Sequence, residues 1–256
     1  MAPGLLVYDL LFLVLASVTY AGAIRAGVTV FGWLSAWVPW PLAVVPAIVA
    51  AVVALIAEVG VLTFLCPRLV PGRYPVMKGA MFWSWLLRTM LRRLLMAPGV
   101  KWIIFVSNVL RFLALRAMGA RVAFTSSMSS DVDVLDPALL EVGAGAIIGA
   151  RCFTSGHYVD RGQLVLGTIR VGEGAMLAAA VNVGPGVVVG RKAIVKPLAG
   201  LGPDVVIGDE AQIGGEALID IAARIGERAD LGNRVHVRPG VSVPADAKIA
   251  AGTVVS

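Results

Sequence analysis

The chain contains two histidines, and the surroundings of one of them suggest proton-transfer chemistry. His157 lies in the run Cys152-Phe-Thr-Ser-Gly-His-Tyr-Val-Asp160-Arg-Gly-Gln163, with Asp160 three positions beyond the imidazole. Imidazole gains and loses a proton near neutral pH, as a general base must, and Asp160 is the candidate for orienting the ring. The plainer alternative is a structural loop histidine. His236, set between Arg234 and Arg238, is expected to point outward and to take no catalytic part. Two histidines cannot make a three-histidine zinc site, and no Cys or Asp cluster fills the gap, so no metal is expected. No Gly-x-Ser-x-Gly elbow, Walker loop or GxGxxG lies in a strand-to-helix context, which disfavours a serine hydrolase, an NTPase and a dinucleotide enzyme.

What positions His157 is a repeat. From Val171 to Val255, fifteen positions at strict six-residue spacing are all Leu, Ile or Val, and the residue four places after each of the first fourteen is small. A six-residue unit of one short strand and one corner places an aliphatic side chain inside every flat face, and three faces close a triangular coil. The expected fold class is therefore an α-helical membrane anchor followed by an all-β parallel β-helix of hexapeptide type. Eight glycines directly follow aliphatic positions, at 172, 184, 190, 202, 208, 214, 226 and 232, and are expected to supply unusual corner angles. A second stretch, Val142-Gly143 and Ile148-Gly149, is out of register with the first, since Ile148 and Val171 are 23 residues apart. His157 falls in that break, where a loop is expected to leave the coil.

The first half is written for lipid. Mean hydropathy is +0.86, and 58% of residues are hydrophobic. Residues 5–24 and 41–65 are the two expected spanning helices, joined by a linker from Arg25 to Trp40 that carries interfacial Trp33, Trp37 and Trp40. The first is a poor signal peptide and is expected to be retained. Arg68, Arg73, Lys78, Arg88, Arg92 and Arg93 follow the second span. By the positive-inside rule this places the β-helix on the cytosolic side of a bacterial inner membrane. Glu58 within the second span reads as a functional acid or as a carboxyl packed between helices. Residues 77–96 and 100–118 are expected to be interfacial helices, with re-entrant segments as the alternative. The expected domains are thus 1–120 in the membrane and 121–256 in the β-helix, with the break at about 150–170.

Net charge is +6, but acidic residues are spread through the repeats, so membrane lipid is the expected partner and nucleic acid is not. Cys66 and Cys152 show no CxxC spacing and are expected to be reduced thiols. Lys192 and Lys196, with Arg191, are candidates for meeting the phosphates of coenzyme A. A solvated outer face explains them as well. Asn182 is a candidate polar contact on a coil face.

Pro71-Gly-Arg-Tyr74, Trp83-Ser-Trp85-Leu and Leu115-Arg-Ala-Met-Gly-Ala-Arg121, followed by Val142-Gly, His157-Tyr-Val-Asp160-Arg161 and the hexads, form a wider pattern. From about residue 40 onward it resembles the carboxy-terminal region of ε-poly-lysine-synthetase-like nonribosomal peptide synthetases and related membrane hexapeptide transferases. The resemblance implies a left-handed β-helix, a homotrimer, and transfer of an acyl or aminoacyl group from a thioester, acyl-CoA or carrier-bound pantetheine, to an amine or hydroxyl. It implies no permanently bound cofactor, and a histidine base at the position of His157. The sequence departs from that family in lacking adenylation and carrier domains, and in stopping at Ser256 without the usual capping tail. A carrier protein or synthetase is then an expected partner, and a non-catalytic trimeric scaffold that docks one is the alternative function.

Overall fold

The computed structural model describes residues 3–256, with side chains from Leu6 onward. Met1 and Ala2, which open the expected membrane domain, and the side chain of Leu5, at the start of the expected first span, lie outside the described residues. The chain forms two compact units. One takes the residues up to Cys66 together with Leu87–Met118, and the other takes Pro67–Leu86 together with Gly119–Ser256.

The first unit is helical. Helix α1 (Pro3–Leu34) and helix α2 (Trp40–Leu65) are each long and apolar enough to cross a membrane. The reading that the first span ends at Ile24 and gives way to a linker is corrected here. The helix continues to Leu34, because a single arginine does not break a helix and no proline intervenes before Pro39. The two helices pack through small residues, and a Cβ on Gly27 would lie 2.9 Å from the Ala47 carbonyl oxygen. The Glu58 carboxyl rests against Gly22, and its Oε2 is buried with no hydrogen-bond partner among the described residues.

The C-terminal end of α2 is met by a cation. Arg88, on helix α3 (Gly79–Leu95), donates to the carbonyls of Thr63 at 3.2 Å and Cys66 at 3.1 Å, where the helix dipole is negative. The predicted single helix over 100–118 is two, α4 (Pro98–Val106) and α5 (Asn108–Ala117), bent by 120°. The bend falls at Ser107, whose hydroxyl caps α5 by accepting from the Leu110 N–H.

The second unit is a parallel β-solenoid of two- and three-residue strands, arranged as three seven-stranded parallel sheets. Its first face aligns Val122, Val142, Val171, Val189, Ile207, Ile225 and Val243 strand by strand. All seven are buried. The second and third faces stack Ile148 with Leu177 and Val183 with Leu201 in the same way. Each buried aliphatic side chain contributes about 1.5–3 kcal/mol, which is what makes a six-residue spacing sufficient to specify the coil.

The corners follow a rule other than the expected one. The glycines after the aliphatic positions do not take left-handed angles, and they serve close stacking instead. A Cβ on Gly190 would lie 2.6 Å from the backbone of Gly208 and Asp209 in the next coil. Left-handed φ occurs two residues later, mostly at residues with side chains, such as Lys192 (φ 54°), Asp204 (58°) and Glu216 (57°).

The register break is not a plain loop. Thr154 lies six residues after Ile148 and is still in phase, occupying the third face and 1% exposed. Beyond it a β-hairpin, His157–Asp160 and Gln163–Leu166, leaves the coil. Arg161 and Gly162 turn it with φ of 44° and 75°, the left-handed pair that a two-residue hairpin turn requires. The strand Gly72–Pro75, from the segment that precedes α3, pairs antiparallel with Gln163–Leu166 and completes a three-stranded sheet. Beneath it Phe82, Leu139, Leu164 and Leu166 form a buried cluster, flanked by Leu69, Tyr74, Val76, Trp85 and Leu86.

Candidate active site

In the regular coils, four residues carry the chain from the third face to the first, as at Gly184–Val187. Two successive coils depart from this at the same corner. Val142 follows Val134 by eight residues, and the extra length forms a short 3-10 turn, Pro137–Leu139, entered through Asp136. Val171 follows Thr154 by 17 residues, and that surplus is the hairpin. Because the coils stack, the two irregular corners lie one on the other, and Asp136 meets His157.

The Asp136 side chain is 2% exposed and carries three hydrogen bonds. Its Oδ2 accepts from the Gly156 N–H at 2.9 Å and lies 2.6 Å from His157 Nδ1. Its Oδ1 accepts from the Trp85 indole N–H at 2.9 Å. A buried charge needs such satisfaction. An ionised carboxylate only accepts, so Nδ1 carries the proton of the neutral ring and Nε2 holds the lone pair. Nε2 has no hydrogen-bond partner among the described residues, and the His157 side chain is 22% exposed.

The site is held from several sides. The Trp85 ring lies edge-on to the imidazole with centroids 4.8 Å apart. The Ser155 hydroxyl donates to the His157 carbonyl at 2.7 Å. Gly156 permits the close approach, since a Cβ there would come within 2.9 Å of Leu139 Cβ and 3.1 Å of Asp136 Cβ.

Asp160, the sequence candidate for orienting the ring, takes no part in this arrangement. Side chains alternate along an extended strand, so residues three apart face opposite sides. Asp160 accordingly reaches Arg161 at 4.0 Å and is about half exposed. Asp136 went unrecognised because it is 21 positions from the histidine in sequence. The eight-residue interval from Val134 to Val142 was the mark that could have found it.

The remaining candidates are dispersed. Asn182 is exposed on the third face, in a strand that pairs with Phe153–Thr154 and thus adjoins the chain leading to His157. Lys192 stands at the corner between the first and second faces, and Lys196 at the corner between the second and third. The structure does not bring either lysine to the corner that holds His157 in the same chain. His236 lies on the outer side of the third face, as expected, but pairs with Asp220 through Nε2 at 2.8 Å, the nitrogen opposite to the one His157 uses.

Two ion pairs elsewhere on the coils, Arg191–Asp209 and Arg228–Asp246, span one repeat of eighteen. The Arg191 backbone N–H and guanidinium hold the Asp209 carboxyl below the usual range, and the Arg228 guanidinium alone holds that of Asp246 below it. Burial pushes the Cys152 thiol up, and its S–H donates to the Ala178 carbonyl. Both cysteines are free thiols. Among the described residues no group of His, Cys, Asp and Glu could hold a metal ion.

No protein-family model matches the sequence, and no curated protein matches it significantly. Solved structures with a similar shape are hexapeptide-type and related acyltransferases. A point variant of perosamine N-acetyltransferase from Caulobacter crescentus, with CoA and GDP-perosamine, is 21% identical over 58% of this chain and 56% of its own, with a TM-score of 0.33. AntD, an N-acyltransferase from Bacillus cereus solved with dTDP and coenzyme A, is 15% identical over 45% of this chain and 74% of its own, with a TM-score of 0.39. The acetyltransferase domain of PglB from Neisseria gonorrhoeae, with acetyl coenzyme A, is 14% identical, covering 57% and 63%, with a TM-score of 0.26. This chain spans little more than half the length of the perosamine N-acetyltransferase it matches. Likeness at this level carries no argument about chemistry, which rests on the residues at the corner.

Proposed function

We propose that the protein is a membrane-bound transferase that moves an acyl or aminoacyl group from a thioester, acyl-CoA or carrier-bound pantetheine, to an amine or hydroxyl. The observation that carries this reading is the buried Asp136 carboxylate on His157 Nδ1, with Nε2 left without a partner among the described residues. A free Nε2 lone pair beside solvent is what a general base offers. It takes the proton of the acceptor N–H or O–H while the acceptor's lone pair attacks the thioester carbonyl carbon. The tetrahedral oxyanion then collapses, the C–S bond breaks, and the imidazolium returns its proton to the departing thiolate. Asp136, in place of Asp160, balances the imidazolium charge. Backbone N–H groups of a neighbouring coil are the proposed oxyanion donors.

Asn182 is the proposed polar contact on the face beside His157. Lys192 and Lys196 stand at the other two corners, so their proposed contact with coenzyme A phosphates calls for a side-by-side homotrimer, in which one prism's corner faces its neighbour's His157. The arginines and lysine after α2 favour the cytosolic side of a bacterial inner membrane, where acyl-CoA is available. A carrier protein or synthetase, as in the ε-poly-lysine-synthetase-like proteins, remains the proposed alternative donor.

Full-length protein in detergent, given acetyl-CoA and a panel of amines, is expected to release thiol above background. His157→Gln is expected to lower that rate about 10²- to 10⁴-fold. Full transfer by His157→Gln discards His157 as the base, whereas no release above background from the parent protein discards the enzyme reading in favour of the docking scaffold.

A further inference from the structure

We infer that Trp85 is a positioning residue for this site: its indole N–H pins the Asp136 carboxylate so that a single oxygen, Oδ2, faces His157 Nδ1. The inference rests on the transferase reading above and extends it to a residue outside the repeats. Trp85 lies in the first half of α3, and the segment Pro67–Leu86 that carries both it and the Gly72–Pro75 strand belongs to the same compact unit as the solenoid.

That segment is fastened there independently of the hydrogen bond. Gly72–Pro75 pairs with the hairpin strand Gln163–Leu166, and Phe82, one turn before Trp85, is buried against Leu139, Leu164 and Leu166. The Phe82 and Trp85 rings themselves pack with centroids 5.8 Å apart. With the helix so anchored, the indole is delivered to Asp136 with its N–H 2.9 Å from Oδ1 and its ring edge-on to His157. The carboxylate then has both oxygens committed, to Trp85 on one side and to Gly156 and His157 on the other.

Two consequences follow from removing only the N–H. The carboxylate becomes free to turn about its Cβ–Cγ bond, which loosens the aim of Nε2. Oδ1 also regains the charge that the indole had been sharing, so the carboxylate holds the Nδ1 proton more strongly and favours the imidazolium. The neutral, reactive ring should therefore appear only at higher pH. A purely structural tryptophan would change neither the proton affinity nor the aim of the ring.

The test is Trp85→Phe in the full-length protein, read in two ways. Diethyl pyrocarbonate modifies neutral imidazole, and mass spectrometry separates His157 from His236, which pairs with Asp220 and serves as an internal control. In the variant, the pH dependence of His157 modification is expected to move to higher pH while that of His236 stays put. Thiol release from acetyl-CoA is expected to show a kcat lower by roughly ten- to hundredfold with KM within about threefold. If Trp85→Phe does not fold, benzothienylalanine at position 85, which replaces the N–H with sulfur in the same outline, makes the same test. Unchanged His157 modification together with unchanged kcat overturns the inference. The transferase reading fails separately, if the parent protein releases no thiol above background, and the His157 base fails if His157→Gln retains full activity. The chemical-modification result stands whichever way that falls.

Discussion

The regular coils and the irregular corner of the same solenoid are built by opposite rules. From Val171 onward each unit repeats one instruction, and the interior row is aliphatic and buried almost without exception. At the corner between the third and first faces of the two leading coils the count slips twice, and there the chain buries an aspartate, a glycine amide and most of an imidazole. Repetition gives strength because every coil supports the next. It cannot make a site, since identical units present identical groups. The difference teaches that in a periodic fold, unlike groups are brought together where the period fails, and that two failures in register can meet.

The comparison breaks most sharply at the carboxylate. Asp136→Asn keeps the shape but removes the charge that balances the imidazolium, and is expected to lower thiol release from acetyl-CoA on the order of 10²-fold or more. Asp160→Asn, on the exposed hairpin strand, is expected to leave the rate within about twofold. Equal losses in the two variants would mean that the corner is not the site.

Next comes the interior row. Ile213→Ala, at a fully buried position of the second face, is expected to cost about 2–5 kcal/mol of unfolding free energy in denaturant titration. The rate per folded molecule should not change. A smaller stability effect belongs to the corner glycines. Gly190→Ala places a methyl against the backbone of the next coil and is expected to cost roughly 1–3 kcal/mol by the same measurement. Gly156→Ala is expected to cost as much, but also to lower activity by pushing Asp136 from His157.

The smallest effect concerns the charges between coils. The folded Asp209 carboxyl is held below its unfolded range, chiefly by the Arg191 backbone N–H and then by its guanidinium. A depressed carboxylate stabilises the fold above the unfolded value of about 3.9, and that contribution is lost as pH falls through the folded value. Thermal unfolding of Asp209→Asn should thus differ slightly from the parent at pH 7 and not at all in strong acid. The difference should also shrink with salt, as for any exposed pair.

Much of this was legible in the chain. The aliphatic spacing announced the solenoid because a side chain every six residues has only one way to stay dry. The two apolar stretches announced the two long apolar helices, although the first continues past Arg25 to Leu34. His157 was legible because it lies where the count breaks. The role of the corner glycines was misread, since a sequence shows that a residue lacks a side chain but not whether angle or proximity demands it.

Local order in the chain was therefore enough for the prism, the paired apolar helices and the histidine, because each depends on spacing between near neighbours. The company His157 keeps was decided only in three dimensions. Asp136 arrives from the preceding coil by stacking, and Trp85 arrives on a helix fastened by an added strand and a buried phenylalanine. Such contacts join residues that no interval in the sequence relates, and only the packed coil brings them within hydrogen-bond reach.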